Sequence, residues 1–134
     1  MQSSTQFATE SKGMLWTGRV LSGLMALFFV FDGVGHLMKP APVVEAFARL
    51  GYPLSASVGI GVLALICTAI YVTPRTSVLG AILLTGYLGG AVSTHVRAGS
   101  TLFERIFPVI LGALVWVGIF VRDAGLRKLI PLRR

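Results

Sequence analysis

Four apolar runs, separated by short segments rich in proline, glycine or charge, organise this chain: roughly residues 15–38, 55–73, 77–95 and 104–121. Each is close to the ~20 helical residues that cross a bilayer core of ~30 Å. The punctuation between them is that of helices. Lys39, Pro40 and Pro42 close the first run, Pro74 closes the second, and Thr76 or Ser77 can cap the third. Thr101-Leu-Phe-Glu104 has the spacing of a capping box, in which hydroxyl and carboxylate each satisfy an orphan backbone N–H at the start of the fourth helix. Pro108 falls in or near the first turns of that helix, where a missing N–H costs least. Between the first two runs, Val43, Phe47 and Leu50 recur at helical spacing, with Glu45 and Arg49 together on another face. That pattern predicts a short amphipathic helix at the interface, serving as a connector or as a lid over one end of the bundle. The expected fold class is all-α: an integral membrane four-helix antiparallel bundle with a short amphipathic interfacial helix between the first and second spans.

Composition strengthens the membrane reading. Apolar residues make up 54% of the 134, and charged residues only 13%, too few for a soluble domain of this size. The predicted organisation is a polar, mobile tail over 1–14, a single four-helix transmembrane domain over 15–122, and a basic tail over 123–134. The first apolar run is longer than a signal-peptide core, contains Asp32 and leads into further spans, so it reads as a retained helix. Trp16, Tyr71 and Trp116 lie towards one set of helix ends, the place of interfacial aromatic anchors.

Charge then orients the chain. With four spans both termini share a side, and that side carries Lys12, Arg19, Arg75, Arg122, Arg127, Lys128, Arg133 and Arg134, against Lys39, Arg49, Arg97 and Arg105 on the other. Basic residues concentrate on the cytoplasmic side of short-looped membrane proteins, which predicts a multi-pass protein of the inner (cytoplasmic) membrane with both termini cytoplasmic. The net charge of +7 reads as a topology signal and an attraction to anionic headgroups, with no nucleic acid among the expected partners. Cys67 is the only cysteine and lies inside a span, which excludes an internal disulfide, a CxxC redox pair and a CxxCH haem attachment. A redox role would have to use borrowed cofactors.

The candidate chemistry begins in FFVFDGVGHLMKP, where Asp32 and His36 stand four residues apart in an otherwise lipid-like run and so share a helix face. An ionised Asp near mid-membrane costs about 2.5–3.5 kcal/mol, so such a group faces the bundle interior, finds a partner or protonates. The other histidine, His95, lies about one turn from the end of the third span, at a depth like that of His36 if both helices run outward. Tyr87, Ala91 and His95 form a stripe at four-residue spacing. Gly33 and Gly35 beside Asp32 leave room for a neighbouring helix or ligand, while the Gly86–Gly90 and Gly89–Ser93 pairs read as helix-packing seams. The resulting expectation is that Asp32, His36 and His95 converge on one outward-facing cavity, with Tyr87 deeper and the amphipathic segment as its cap.

LLTGYLGGAVSTHVRAGS, together with GRVLSGLMALFFVFDGVGHLMKP and the GYP before the second span, resembles the DoxX-like family of small four-helix membrane proteins, over about residues 15–122. Its most specific part is GGAVSTHVRAG, a Gly-Gly-Ala run leading to Thr-His-x-Arg. The resemblance implies the four-helix fold and a setting beside redox systems: relatives include a membrane subunit of an archaeal thiosulfate:quinone oxidoreductase and membrane partners of oxidative-stress and sulfur-transfer proteins. A more distant likeness, to sterol-isomerase-type membrane proteins, implies binding of apolar small molecules.

Two functional readings stand side by side. One is a ligand site for a small apolar molecule, a quinone being the candidate cofactor, with Asp32, His36, Tyr87 and His95 as its polar groups, acting in or beside a redox system. The other is a noncatalytic membrane subunit or scaffold that anchors a membrane or soluble redox partner protein, the same residues making interhelical hydrogen bonds. Haem or metal is disfavoured, because two histidines and one carboxylate are a thin ligand set. Transport is disfavoured too, since four short spans without repeats offer little for alternating access. No reaction is assigned by these residues.

Overall fold

The structure, a computed structural model, describes residues 2–129, and the side chains from residue 12 onward. The side chains of the first residues of the 1–14 segment, and the last five residues of the basic tail with Arg133 and Arg134, lie outside the described residues. Six α-helices follow one another: α1 (Gln2–Met38), α2 (Ala41–Leu50), α3 (Ala56–Val72), α4 (Ser77–Ala98), α5 (Leu102–Arg122) and α6 (Ala124–Leu129), with a 3-10 turn at Pro74–Thr76. Among the described residues there is no strand.

Three stretches, Lys12–Met38, Pro74–Ala98 and Leu102–Arg122, are long and apolar enough to cross a membrane. The remaining apolar helix, α3, is shorter at 17 residues. Large side chains on the outer faces stay uncovered, Phe31 at 79% and Leu27 at 67% exposure among them, and Leu63, Ile82 and Val109 continue the surface. So extensive an apolar exterior on helices of this length contacts lipid, where helices satisfy their own backbone hydrogen bonds.

The helix ends follow local chemistry. Thr101 Oγ1 accepts from the Glu104 N–H at 3.3 Å and Glu104 Oε2 from the Thr101 N–H at 3.1 Å, so the expected capping box is formed. Pro108 sits inside α5 and is buried there. It withholds the N–H that the Glu104 carbonyl would otherwise receive. α4 ends at Gly99, whose φ of 70° suits glycine, and the Ser100 N–H returns to the His95 carbonyl at 3.0 Å. α1 ends at Lys39, a non-glycine residue at φ 54°.

α1 and α4 each pack on both α3 and α5. The core between them contains Phe29, Tyr71, Leu84, Val115 and Ile119. Close approach is made by glycines, though not by those of the Gly86–Gly90 and Gly89–Ser93 pairs. A Cβ on Gly33 would come within 2.8 Å of Leu65 Cγ, one on Gly61 within 2.7 Å of the Gly33 carbonyl oxygen, and one on Gly18 within 2.7 Å of the Gly118 carbonyl oxygen. A Cβ on Gly80 would land on the Tyr71 backbone. These contacts let α1 approach α3 and α5, and α3 approach α4, nearly backbone to backbone. Gly86, Gly89 and Gly90 have nothing within 4 Å of an added Cβ, so they are not seams. Of the two glycines expected to leave room beside Asp32 for a neighbouring helix or a ligand, Gly33 admits the helix, closing the α1–α3 contact, while Gly35 has nothing within 4 Å of an added Cβ.

Tyr71 also departs from expectation. It is fully buried, its hydroxyl donating to the Val115 carbonyl at 2.9 Å and lying 3.1 Å from Ser22 Oγ, so it ties α3 to α5 and α1 rather than anchoring at the interface. The residue sits near the α3 terminus in sequence, but its ring points inward, a distinction that position along the chain does not carry. Trp16 is exposed, and Trp116 donates its Nε1–H to Thr85 Oγ1 at 2.7 Å, joining α5 to α4.

Candidate functional site

The four polar residues singled out in the sequence line one cavity of about 420 Å³, shared by α1, α3, α4, α5 and the α2 segment. Asp32 and His36 come from the last turns of α1, Tyr87 from the middle of α4 and His95 from its last turn. The walls are apolar: Phe28 and Phe29 from α1, Ile60 and Leu63 from α3, Leu88 from α4, and Phe107, Pro108 and Leu111 from α5. An apolar space of this size with a few converging polar groups has the form of a small-molecule pocket.

Its central polar contact is between helices. The Tyr87 hydroxyl donates to Asp32 Oδ2 at 3.1 Å. Local helix geometry places His36: its Nδ1 lies 2.7 Å from the Asp32 main-chain oxygen, one turn earlier, and 3.7 Å from Asp32 Oδ2. A carbonyl oxygen only accepts, so Nδ1 carries the hydrogen. In the neutral ring Nε2 is then the lone-pair nitrogen, able to accept from a ligand. The His36 ring meets Phe47 edge-on, with centroids 5.7 Å apart. His95 is held differently. Its Nδ1 pairs with Ser100 Oγ at 3.0 Å, in the turn that Gly99 makes possible, and it makes no hydrogen bond to Asp32 among the described residues. The structure therefore couples Asp32 directly to Tyr87 and brings His36 beside them, while His95 joins the same lining from the α4 end.

The cover over this end is built from α2. Phe47 is the buried residue of α2 and reaches into the cavity, as does Leu50, whereas Glu45 and Arg49 face outward. Three polar contacts hold the cover down: Arg49 Nη1 to Glu104 Oε1 at 3.2 Å, Arg97 Nη2 to the Leu50 carbonyl at 3.2 Å, and Tyr52 Oη to Thr94 Oγ1 at 3.0 Å. The Arg97 guanidinium also lies 5.7 Å from the centre of the Tyr52 ring. Exposed contacts of this kind are individually weak.

Some lining residues escaped the sequence reading. Gly86, Gly90 and Thr94 continue along α4 at four-residue spacing, and the empty space at both glycines opens the cavity wall. The spacing was visible as GxxxG, but that pattern marks a close helix contact as readily as an opening. Tyr52, in the GYP segment, had no periodic signal at all. Among the described residues, no group of three or more His, Cys, Asp or Glu side chains is arranged to hold a metal ion.

No curated protein and no solved structure matches the chain. A family model does: that described as the DoxX-like family matches residues 20–118, from Val20 in α1 to Gly118 near the end of α5. The match takes in the Asp32–His36 turn, the Tyr87–His95 stripe and the cover between them, and on that extent the chain belongs to the DoxX-like family.

Proposed function

We propose that this membrane protein holds a small, largely apolar molecule with a polar end in the cavity beneath α2, and that it acts in or beside a redox system. The carrying observation is the joint lining of one half-open space of about 420 Å³ by Asp32, His36, Tyr87 and His95, with aromatic and aliphatic walls around them. A quinone headgroup meets these terms: its ring can lie against the edge-to-face Phe28–Phe107 pair, whose centroids are 5.9 Å apart, and one of its oxygens can take a hydrogen bond from His95 Nε2 when Nδ1 accepts from Ser100 Oγ. Asp32 and His36 can then pass a proton to a reduced oxygen. The redox setting rests on the family resemblance.

The accompanying architecture is an antiparallel bundle of α1, α3, α4 and α5 over 15–122, flanked by the polar 1–14 segment and the basic 123–134 segment. It lies in the inner membrane with both termini cytoplasmic and the cavity towards the outer leaflet. Mass spectrometry of the protein purified in mild detergent tests the ligand reading. A copurifying quinone or other apolar molecule, lost in Gly90→Leu and in Asp32→Leu while both variants remain folded, is the expected result. One observation favours the alternative, a noncatalytic scaffold for a partner protein: the Tyr87–Asp32 bond joins α4 to α1 as an interhelical hydrogen bond. A stoichiometric protein partner, with no small molecule in the same preparation, decides for the scaffold.

A further inference from the structure

The end of the molecule away from the cavity carries a second, smaller depression of about 160 Å³ where α1, α3 and α5 meet, lined by Arg19, Ser22, Gly23, Val72 and Arg122. Arg19 and Lys39 stand roughly 30 Å apart along α1 at the helical rise, the thickness of a hydrocarbon core. Lys39 belongs to the cavity end, so Arg19 lies at the opposite interface, among headgroups.

Two features distinguish this groove from a solvated pair of arginines. The first is missing counter-charge. Among the described residues the Arg49–Glu104 ion pair and the 3.7 Å approach of His36 to Asp32 are both at the other end. Asp123, next to Arg122 in sequence, uses Oδ1 to accept from the Leu126 N–H at 3.1 Å. Arg75, Arg127 and Lys128 add positive charge at the same end. The second is that Arg122 is held in place. Its Nη2 donates to Ser77 Oγ at 3.3 Å, and its Cβ lies 2.7 Å from where a Cβ on Gly18 would stand, so α1 presses directly against it. Its Nε–H is shut off from solvent without an acceptor, which leaves the guanidinium short of negative partners. The groove itself is open, since an added Cβ on Gly23 would meet nothing within 4 Å, and Val20 and Leu24 continue the exposed apolar face of α1 beside it.

We propose that this groove binds a phosphate group, carried by an anionic lipid headgroup or present as the free anion, through Arg19 and Arg122. Basic pockets between membrane helices hold phosphate in this manner, and Val20 and Leu24 provide a surface along which acyl chains of a lipid run.

The test titrates the full-length protein in mild detergent with short-chain phosphatidylglycerol, phosphatidylcholine of the same chains, and inorganic phosphate, reading binding by calorimetry. Phosphatidylglycerol, inorganic phosphate or both should bind more tightly than phosphatidylcholine, and Arg19→Gln should weaken that binding about fivefold. Gly23→Leu keeps both charges but fills the open groove, and should weaken it at least as much. Competition by millimolar inorganic phosphate identifies the free anion as a ligand, and its failure to compete identifies the lipid. Equal binding of phosphatidylcholine, or binding unchanged by Gly23→Leu, overturns the proposal. Both variants replace residues on the exposed face of α1, so the result does not depend on the folding of an Arg122 variant.

Discussion

Asp32 is a half-buried carboxylate in an apolar helix with a specific partner on another helix. Its carboxylate has Tyr87 as donor, so a neutral amide at the same place can still accept that bond. Asp32→Asn is expected to keep the thermal stability of the protein. Asp32→Leu strands the Tyr87 hydroxyl and should cost about 1 kcal/mol. If the carboxylate moves a proton, Asn abolishes ligand-linked activity in a protein that melts normally, and thermal melts beside ligand retention separate the two roles. Tyr71 presents the opposite case, a polar side chain whose partners are all structural. Tyr71→Phe removes the bonds to the Val115 carbonyl and Ser22 Oγ. It should destabilise by about 1–2 kcal/mol while ligand retention stays at the wild-type level, and a loss of ligand without a loss of stability would contradict that assignment.

At the scale of elements, glycine has two uses in this protein, and their substitutions should diverge. Gly80 lies against the Tyr71 backbone, which cannot yield as a flexible side chain can, so Gly80→Ala must push α4 away from α3. Its melting temperature should fall by several degrees, as expected for overpacking of about 1–3 kcal/mol. Gly90 faces open space, and Gly90→Ala should leave stability unchanged or raise it by up to about 1 kcal/mol through helix propensity. A Gly80→Ala variant as stable as wild type would mean that the α3–α4 contact is looser than described. The α2 cover was legible from Val43, Phe47 and Leu50, because amphipathic spacing is a local property. Its fastening was not: Arg49, Arg97 and Tyr52 meet Glu104, the Leu50 carbonyl and Thr94 across long stretches of sequence.

For the whole molecule, the distribution of basic residues and the lengths of the helices make a single statement about orientation. A reporter fused after Arg134 should be active only in its cytoplasmic form, and cysteines introduced over residues 41–55 should react with a membrane-impermeant reagent added outside. Periplasmic activity of that fusion would invert the molecule, placing the cavity towards the cytoplasm and the Arg19–Arg122 groove outside. α3, at 17 residues, is the shortest of the four apolar helices. As a fourth span it would reach the interfaces only with its flanking turns, including the 3-10 turn at Pro74–Thr76. Cysteine-accessibility mapping along residues 54–77 should therefore find a protected stretch shorter than in α4, and equal stretches would show α3 crossing as a full-length span.

The sequence by itself determined what depends on neighbours along the chain. The helices, the α5 capping box, the proline and glycine stops, the amphipathic cover and the membrane class all follow from periodicity, composition and caps, which act over one or two turns. It also brought out Asp32, His36, Tyr87 and His95, because a polar group inside an apolar run carries a cost that needs an answer. Tertiary structure decided the partners. Whether Gly33 leaves room or closes a seam, whether Gly86 and Gly90 pack or open a wall, and whether Tyr71 faces the interface or the core depend on the rotation of each helix about its axis. That rotation is fixed only when side chains on all four apolar helices fit together. Likewise Asp32 takes Tyr87 as its donor, rather than either histidine, because α1 and α4 meet in one particular register, and no spacing within either helix encodes that register.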